Sequence, residues 1–394
     1  MMRAAAGRQP LAGVKVVDFS TLLPGPMATL MLLEAGAQVV KIERPPIGDE
    51  LRAATPRWDH SSLGFALLNR GKRSVSLDLK SPADRERLLP LLREADVLVE
   101  QFRPGAMDRL GLGYESLRAI NPRLVYCSLT GYGQDGPASM VAGHDLTYMA
   151  QAGLLSLTRG ADGAPAIPPV LVADIGAGSL PAVINILLAL RQRDLTGEGC
   201  RLDVSITDNL FCFPYWAVAR GMACGEWPRP GQERLTGGSP RYQIYRTRDA
   251  RYIAAAPLEQ RFWEVFCEAI GLPGELRQDA RDPQATRAAV AAIIEGEESA
   301  HWRAVFAGKD ACAVVVNTME EAAADPHFVA RRLFARSIPG DAREAPAIPV
   351  PLDRQFVADG AAMASPALGE ANALLGEADA LLGEAHALRG ESRH

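Results

Sequence analysis

At 394 residues the chain is too long for one compact core, so two domains are expected. Hydrophobic residues make up 48% and charged residues 23%, an ordinary globular balance, and a net charge of −5 excludes general nucleic-acid affinity. The opening MMRAAAGRQPLAG lacks the apolar core of a secretory signal, no uninterrupted apolar run reaches bilayer-spanning length, and none of the cysteines forms a CxxC pair. A reduced, cytoplasmic protein is therefore expected, with no membrane span, disulfide framework or cysteine metal site.

In chain order, residues 14–19, 38–43, 96–100 and 124–129 carry the apolar runs of buried strands, and 74–79 reads as a further strand by its alternation Ser-Val-Ser-Leu-Asp-Leu. Helical patterns separate them at 27–34, after the turn Pro24-Gly25, and at 81–95, where Ser81 is the expected N-cap. A further apolar helix is expected over 181–193, ended by Thr196-Gly197-Glu198-Gly199. This alternation predicts an α/β, Rossmann-like domain with a mainly parallel sheet and helices on both faces.

From about residue 235 the pattern changes to a hairpin over 242–245 and 252–256. Helices follow at 262–270, 286–294 and 301–306, and a strand at 313–316. We read this as a smaller α+β domain spanning 221–330, with 1–220 and 331–394 forming the large domain and its tail. The tail repeats LGEAxAL three times, at 368–374, 375–381 and 382–388. Each copy holds a glycine that weakens a helix by roughly 1 kcal/mol, which suits an expanded docking tail better than a dedicated oligomerisation element.

Two stretches carry the chemistry. Gly143-His144-Asp145-Leu146-Thr147-Tyr148 and, further on, Val172-Ala173-Asp174-Ile175-Gly176 each place an acid/base group beside glycine. A histidine and a carboxylate on opposite sides of a substrate can remove a proton from one face and return one to the other. Asp145 is expected to serve structure, bonding a loop backbone or orienting its neighbour. His60, His301, His327, His386 and His394 lack such a context, and Phe211, Phe213, Tyr215 and Trp216 read as core or dimer packing.

Leu22-Leu23-Pro24-Gly25-Pro26 lies between a strand and a helix, where α/β folds bind ligands. No GxGxxG or GxxxxGK[ST] motif supports a dinucleotide or nucleoside triphosphate. Arg44, Arg70, Lys72, Arg73, Lys80, Arg103 and Arg109 fall near expected strand ends, and each alone suits a solvated surface charge. Together in one domain they suit a polyphosphate ligand such as coenzyme A.

The stretches LAGVKVVDFSTLLPGPMATLMLLEAGAQVVKIERP, NRGKRSVSLDLK, DVLVEQFRPGAMDRLGLGYESL and NPRLVYCSLTGYGQDGP resemble the family III CoA-transferases (CaiB/BaiF), and most closely the α-methylacyl-CoA racemases among them. The resemblance runs from Leu11 to about Pro339, with a weaker match at Pro366–Glu370. It implies an acyl-CoA substrate, with coenzyme A as part of that substrate and no metal or redox cofactor. It also implies an intertwined homodimer, with no nucleic-acid or membrane partner.

By the same resemblance, His144 of GHDLTY and Asp174 of VADIGAG are the acid/base pair of a racemase. Glu259, in Ala256-Pro257-Leu258-Glu259-Gln260-Arg261-Phe262-Trp263, orients the histidine, supplied by the partner protomer. Arg44, Leu77, Lys80, Gln101, Arg103 and Arg109 are the implied coenzyme A contacts. Gly237-Gly238-Ser239-Pro240 resembles the family's glycine-rich loop beside the thioester. The chain departs from the racemases at Thr147, where asparagine is usual, and at Leu258 and Gln260, where isoleucine and proline are usual. In transferases of the family, an aspartate at the place of Asp174 is the covalent nucleophile and histidine is generally absent at the place of His144. A racemase and a CoA-transferase thus both fit Asp174, and a coenzyme A-thioester-binding protein without turnover is a third reading.

Overall fold

The computed structural model describes residues 9–160, 162–340, 343–357 and 362–375. The described residues fall into two compact units. The larger takes in residues up to Ala152, Pro169–Cys212 and those from Arg332 onward; the smaller takes in Gly153–Pro168 and Phe213–Arg331.

The larger unit is built on six parallel strands: β1 (Lys15–Asp18), β2 (Gln38–Glu43), β3 (Arg73–Ser76), β4 (Val97–Glu100), β5 (Val125–Thr130) and β6 (Cys200–Ser205). Their spatial order is β3-β2-β1-β4-β5-β6, the doubly wound order with its switch point between β1 and β4. Five of the six fall on expected strands. The edge strand β6 reads Cys-Arg-Leu-Asp-Val-Ser, an alternation of polar and apolar residues without the run of a fully buried strand, and only its pairing with β5 reveals it.

Helices of the larger unit include α1 (Pro24–Glu34), α2 (Pro82–Glu94), α3 (Asp145–Gln151) and α4 (Leu180–Thr196). Ser81 caps α2, its hydroxyl accepting from the Asp84 N–H at 3.3 Å. Gly197 ends α4 at φ +81°, in the left-handed region that favours glycine. On one face of the sheet, Val17, Val40, Ile42, Val75 and Leu98 share a core with Leu88 and Leu92 of α2. On the other, Val16, Val39, Val97, Val99 and Val125 are equally buried. The first tail copy joins the α2 core through Ala371, Leu375 at the start of the second copy joins it too, and Asn372 accepts from the Ser76 N–H at 2.8 Å. The other two copies lie outside the described residues, apart from Leu375.

Buried charges pair around β1 and β2, three of the pairs toward their carboxyl ends and the Arg70–Glu34 pair at the far end of α1. Lys72 pairs with Asp18 at 3.1 Å, Lys41 with Asp49 at 3.0 Å, Arg52 with Glu43 at 2.7 Å and Arg70 with Glu34 at 2.9 Å. Arg70 and Lys72 are therefore not the surface charges their sequence positions suggest. Each neutralises a carboxylate within the core, which a lone buried charge would require. Burial would raise the Asp18 carboxyl, but Lys72, Lys41 and the Ser20 and Thr29 hydroxyls outweigh it and hold it at about 2. Leu77, expected at a ligand site, has its side chain in the α2 core.

One helical stretch, Val172–Thr196, is long and apolar enough by composition to cross a bilayer, as a core helix also can be. Its inner face, through Ala182, Val183, Ile186 and Leu190, is buried within the unit. Ile184, Leu187, Leu188 and Leu195 face outward.

The smaller unit holds a three-stranded antiparallel sheet, β7 (Gln243–Arg246), β8 (Tyr252–Ala255) and β9 (Ala313–Val315), with β8 central. Helices α5 (Gln260–Ile270), α6 (Pro283–Glu295) and α7 (Ser299–Phe306) accompany it, close to the expected boundaries. Trp263, Phe266, Phe306 and Trp302 stack in succession at 5.7 to 5.9 Å between ring centres and fill the core. The neighbouring aromatics do not: Phe211, Phe213 and Tyr215 are exposed in this chain, so they contribute nothing to either core.

Candidate active site

A cavity of about 380 Å³ opens in the larger unit, lined among others by Leu22, Gln101, Arg103, Thr130, His144 and Asp174. Its walls come from the loops leaving β1, β4 and β5, at the carboxyl edge of the sheet and at the switch point. Strand order alone makes this the crevice of the fold.

His144 stands at the N-cap of α3 with extended backbone, φ −138° and ψ 170°. Its N–H donates to the Thr147 hydroxyl at 2.9 Å, and that hydroxyl donates back to the His144 carbonyl at 2.8 Å. Thr147 thus closes the first turn of α3 around the histidine. The preceding glycine is required by Tyr148: a Cβ on Gly143 would lie 2.4 Å from its ring, and one on Gly131 2.5 Å. The Tyr148 hydroxyl donates to the Gly143 carbonyl at 2.7 Å, so the ring fixes the strip that ends in His144.

Asp174 lies in a π-helical segment, Val172–Ser179, that runs directly into α4. Wider turns leave carbonyls without the usual helical partner, a common device at functional sites. Here side chains fill the gaps. The Ser179 hydroxyl donates to the Asp174 carbonyl at 3.1 Å and to Pro24 at 2.7 Å, while Asn209 donates to the Ala177 carbonyl at 2.9 Å. The apolar pattern predicts a helix only from 181; Gly176 and Gly178 disguise its beginning.

Asp145 joins the two stretches. Its carboxylate is buried and accepts from the Asp174 N–H at 2.9 Å, the structural role expected of it. Burial, and then the Asp145 charge, push the Asp174 carboxyl up to about 6, against the opposing pull of His144. Desolvation, Asp174 and Tyr132 together raise the Tyr148 hydroxyl to about 12, so it remains a neutral donor. The cavity can therefore present a carboxyl group shared between its neutral and ionised forms near neutrality, beside an imidazole.

The other sequence candidates are distributed as follows. Gln101 and Arg103 line the same cavity as His144 and Asp174; Gln101 accepts from the Gly25 N–H at 3.1 Å and so braces the start of α1. Arg44 and Lys80 are exposed beyond the carboxyl ends of β2 and β3, and Arg109 is exposed in the helix Ala106–Arg109 beyond β4. They share the cavity's edge of the sheet without lining it. Glu259 belongs to the smaller unit, exposed at the N-cap of α5. The Thr130 hydroxyl is a feature that sequence reasoning misses. It is buried against the cavity with no hydrogen-bond partner among the described residues, a property no residue pattern announces.

Comparison with known proteins agrees with this architecture. The profile of CoA-transferase family III matches residues 11–372. The chain is 36% identical to alpha-methylacyl-CoA racemase of Homo sapiens over 86% of its own length and 85% of the relative's. It is 34% identical to acetyl-CoA:oxalate CoA-transferase of Acetobacter aceti, over 84% of this chain and 87% of that one. Among solved structures, a CaiB/BaiF family protein from Brucella suis superposes with a TM-score of 0.79 at 32% identity, covering 95% of this chain and all of the other.

Proposed function

The chain belongs to CoA-transferase family III, and from that premise we propose that it is a racemase acting on 2-methylacyl-CoA thioesters by 1,1-proton transfer. The observation that carries the reading is the meeting of His144 and Asp174 in one cavity, with the Asp174 carboxyl raised to about 6.

A thioester carbonyl delocalises an α-carbanion into an enolate, so a modest base can take the α-proton when the growing oxyanion is stabilised. In one direction neutral His144 removes the proton and Asp174, protonated, delivers one to the opposite face. In the other direction the roles exchange. Both starting forms hold one proton shared over the pair, so both directions need the same total protonation state. A carboxyl group near 6 keeps the form with neutral His144 and protonated Asp174 accessible near neutrality, which an ordinary carboxylate would not.

The coenzyme A moiety is proposed to engage Arg44, Leu77, Lys80, Gln101, Arg103 and Arg109, with Leu77 limited to its backbone by the burial of its side chain. We further propose the homodimer of the family's intertwined kind, in which Glu259 of one chain serves the pair of its partner. The outward apolar residues Ile184, Leu187, Leu188 and Leu195 support an association surface.

A second reading, CoA transfer with Asp174 as nucleophile, keeps its standing because relatives of comparable identity carry transferase names. Incubation of a 2-methylacyl-CoA in D₂O separates the two. A racemase places deuterium at the α-carbon with no second acid present, and His144→Ala abolishes the exchange. A transferase shows no exchange, requires an acceptor acid and yields an acyl-enzyme trapped by hydroxylamine at Asp174.

A further inference from the structure

We propose that the smaller unit carries an oxyanion-binding site of its own, for the carboxylate or phosphate group of a small molecule, in a cavity walled by Arg159 and Arg287. This goes beyond the proton-transfer reading, although Gly237 in its wall also opens the glycine-rich stretch that by resemblance stands beside the thioester.

The cavity measures about 510 Å³, within the range of small-molecule sites. No aspartate or glutamate is among the described residues that line it, although acidic residues outnumber basic ones in the chain, 47 to 42. Among the described residues neither guanidinium has a carboxylate partner. Asp279, which opposes the effect of Arg287 on the Tyr245 hydroxyl, is itself held by Arg241 at 2.6 Å. Arg287 reaches the Gly237 carbonyl only at 3.3 Å, and Gln243 already donates to that carbonyl at 2.8 Å. Most of the five N–H donors of a guanidinium are thus left for something else.

The walls are built in advance. Gly231 and Gly237 adopt φ of +66° and +95°, and a Cβ on Gly231 would lie 3.7 Å from the Arg159 side chain. The loop between them closes on itself: Thr236 and Gly238 both donate to the Glu233 carbonyl, at 3.0 and 2.9 Å. Across the cavity the Thr158 hydroxyl ties Leu155 to Ala166, at 2.9 Å to the Leu155 carbonyl and 3.0 Å from the Ala166 N–H. Arg287, tied to the Gly237 carbonyl, and the exposed Arg159 present two planar forks that fit the paired oxygens of a carboxylate or phosphate.

The test uses the full chain bearing His144→Ala, so that turnover plays no part, and titrates it calorimetrically with adipate, adipamide, inorganic phosphate and adenosine 3′,5′-bisphosphate. At least one anion is expected to bind, and the neutral diamide is not. Loss of a charge-assisted contact in Arg159→Gln or Arg287→Gln should weaken that binding by roughly 10-fold or more, with Arg287→Lys in between. Binding of adipate assigns a carboxylate ligand, and binding of phosphate or the bisphosphate alone assigns a phosphate one. Absence of binding by every anion, or affinities unchanged in both glutamine variants, overturns the proposal. Failure of the racemase reading would show separately, as absent deuterium exchange in the unsubstituted chain.

Discussion

The carboxylate of Asp145 accepts a hydrogen bond from the backbone N–H of Asp174 at 2.9 Å, binding the residue after the histidine to the backbone of the second acid/base group. It does two things at once: it fixes the Asp174 backbone and its charge helps hold the Asp174 carboxyl near 6. Asp145→Asn keeps an oxygen acceptor and removes the charge. Asp174 should then ionise at lower pH, and the acidic limb of the exchange rate against pH should move downward. Asp145→Ala leaves the Asp174 N–H unpaired, which should lower stability by about 1–3 kcal/mol, and the loosened Asp174 backbone should lower kcat with it.

The raised Asp174 carboxyl also has a stability signature. A folded-state pKa of about 6 lies above the value of 3.8 for an unperturbed aspartate, so the native fold disfavours the ionised group. The penalty is absent below the unfolded value, grows between the two and is complete above the folded one. Asp174→Asn should abolish exchange yet raise Tm at about pH 8 and not at about pH 3. Two pKa units set a ceiling of about 3 kcal/mol, and the partial exposure of Asp174 reduces the expected gain to about 1 kcal/mol. An unchanged Tm at both pH values would show that Asp174 ionises without strain.

Much of this is legible in the residues alone, and the failures share a cause. Apolar runs announce β1, β2, β4 and β5, and a Ser-Val-Ser-Leu alternation announces the edge strand β3; β6, whose alternation carries charge at Arg201 and Asp203 directly after the glycines that end α4, is not expected. His144 and Asp174 are recognisable as a pair, but the π-helical turn that carries Asp174 is hidden by glycines that weaken any helical pattern. Lys72 and Arg70 carry the composition of surface residues and the environment of core ones. Only the partners Asp18 and Glu34, distant in sequence, decide that.

The cavity wall at Leu22 depends on one of those buried pairs. Leu22 holds φ +63°, unfavourable for a bulky residue, and its N–H donates to both Asp49 oxygens at 3.1 and 3.2 Å. Lys41, paired with Asp49, donates to the Ser20 carbonyl at 2.6 Å on the other side of the same turn. Asp49→Ala should lower stability by about 3–5 kcal/mol, because it strands the Lys41 ammonium. Asp49→Asn retains an acceptor for Leu22, so chemical denaturation should show a smaller loss and KM for the acyl-CoA a smaller rise than in Asp49→Ala, with kcat little changed in either. An unchanged KM in both variants would leave the turn without a role in binding.

Oxyanion stabilisation points to Thr130. The Asp174 N–H is taken by Asp145 and the Tyr148 hydroxyl by Gly143, so neither is available to a thioester oxygen. The Thr130 hydroxyl, buried at the end of β5 beside the cavity, has no partner among the described residues. A buried hydroxyl left unbonded costs stability, and Thr130→Val removes the cost while preserving shape. Tm should therefore hold or rise. If the hydroxyl bonds the developing enolate, kcat should fall by roughly 10- to 100-fold with KM nearly unchanged, the pattern of a contact made in the transition state. Full kcat in the Thr130→Val variant would place the enolate donors elsewhere, with the backbone N–H groups of Thr21 and Leu23, on the same cavity wall, next to be tested.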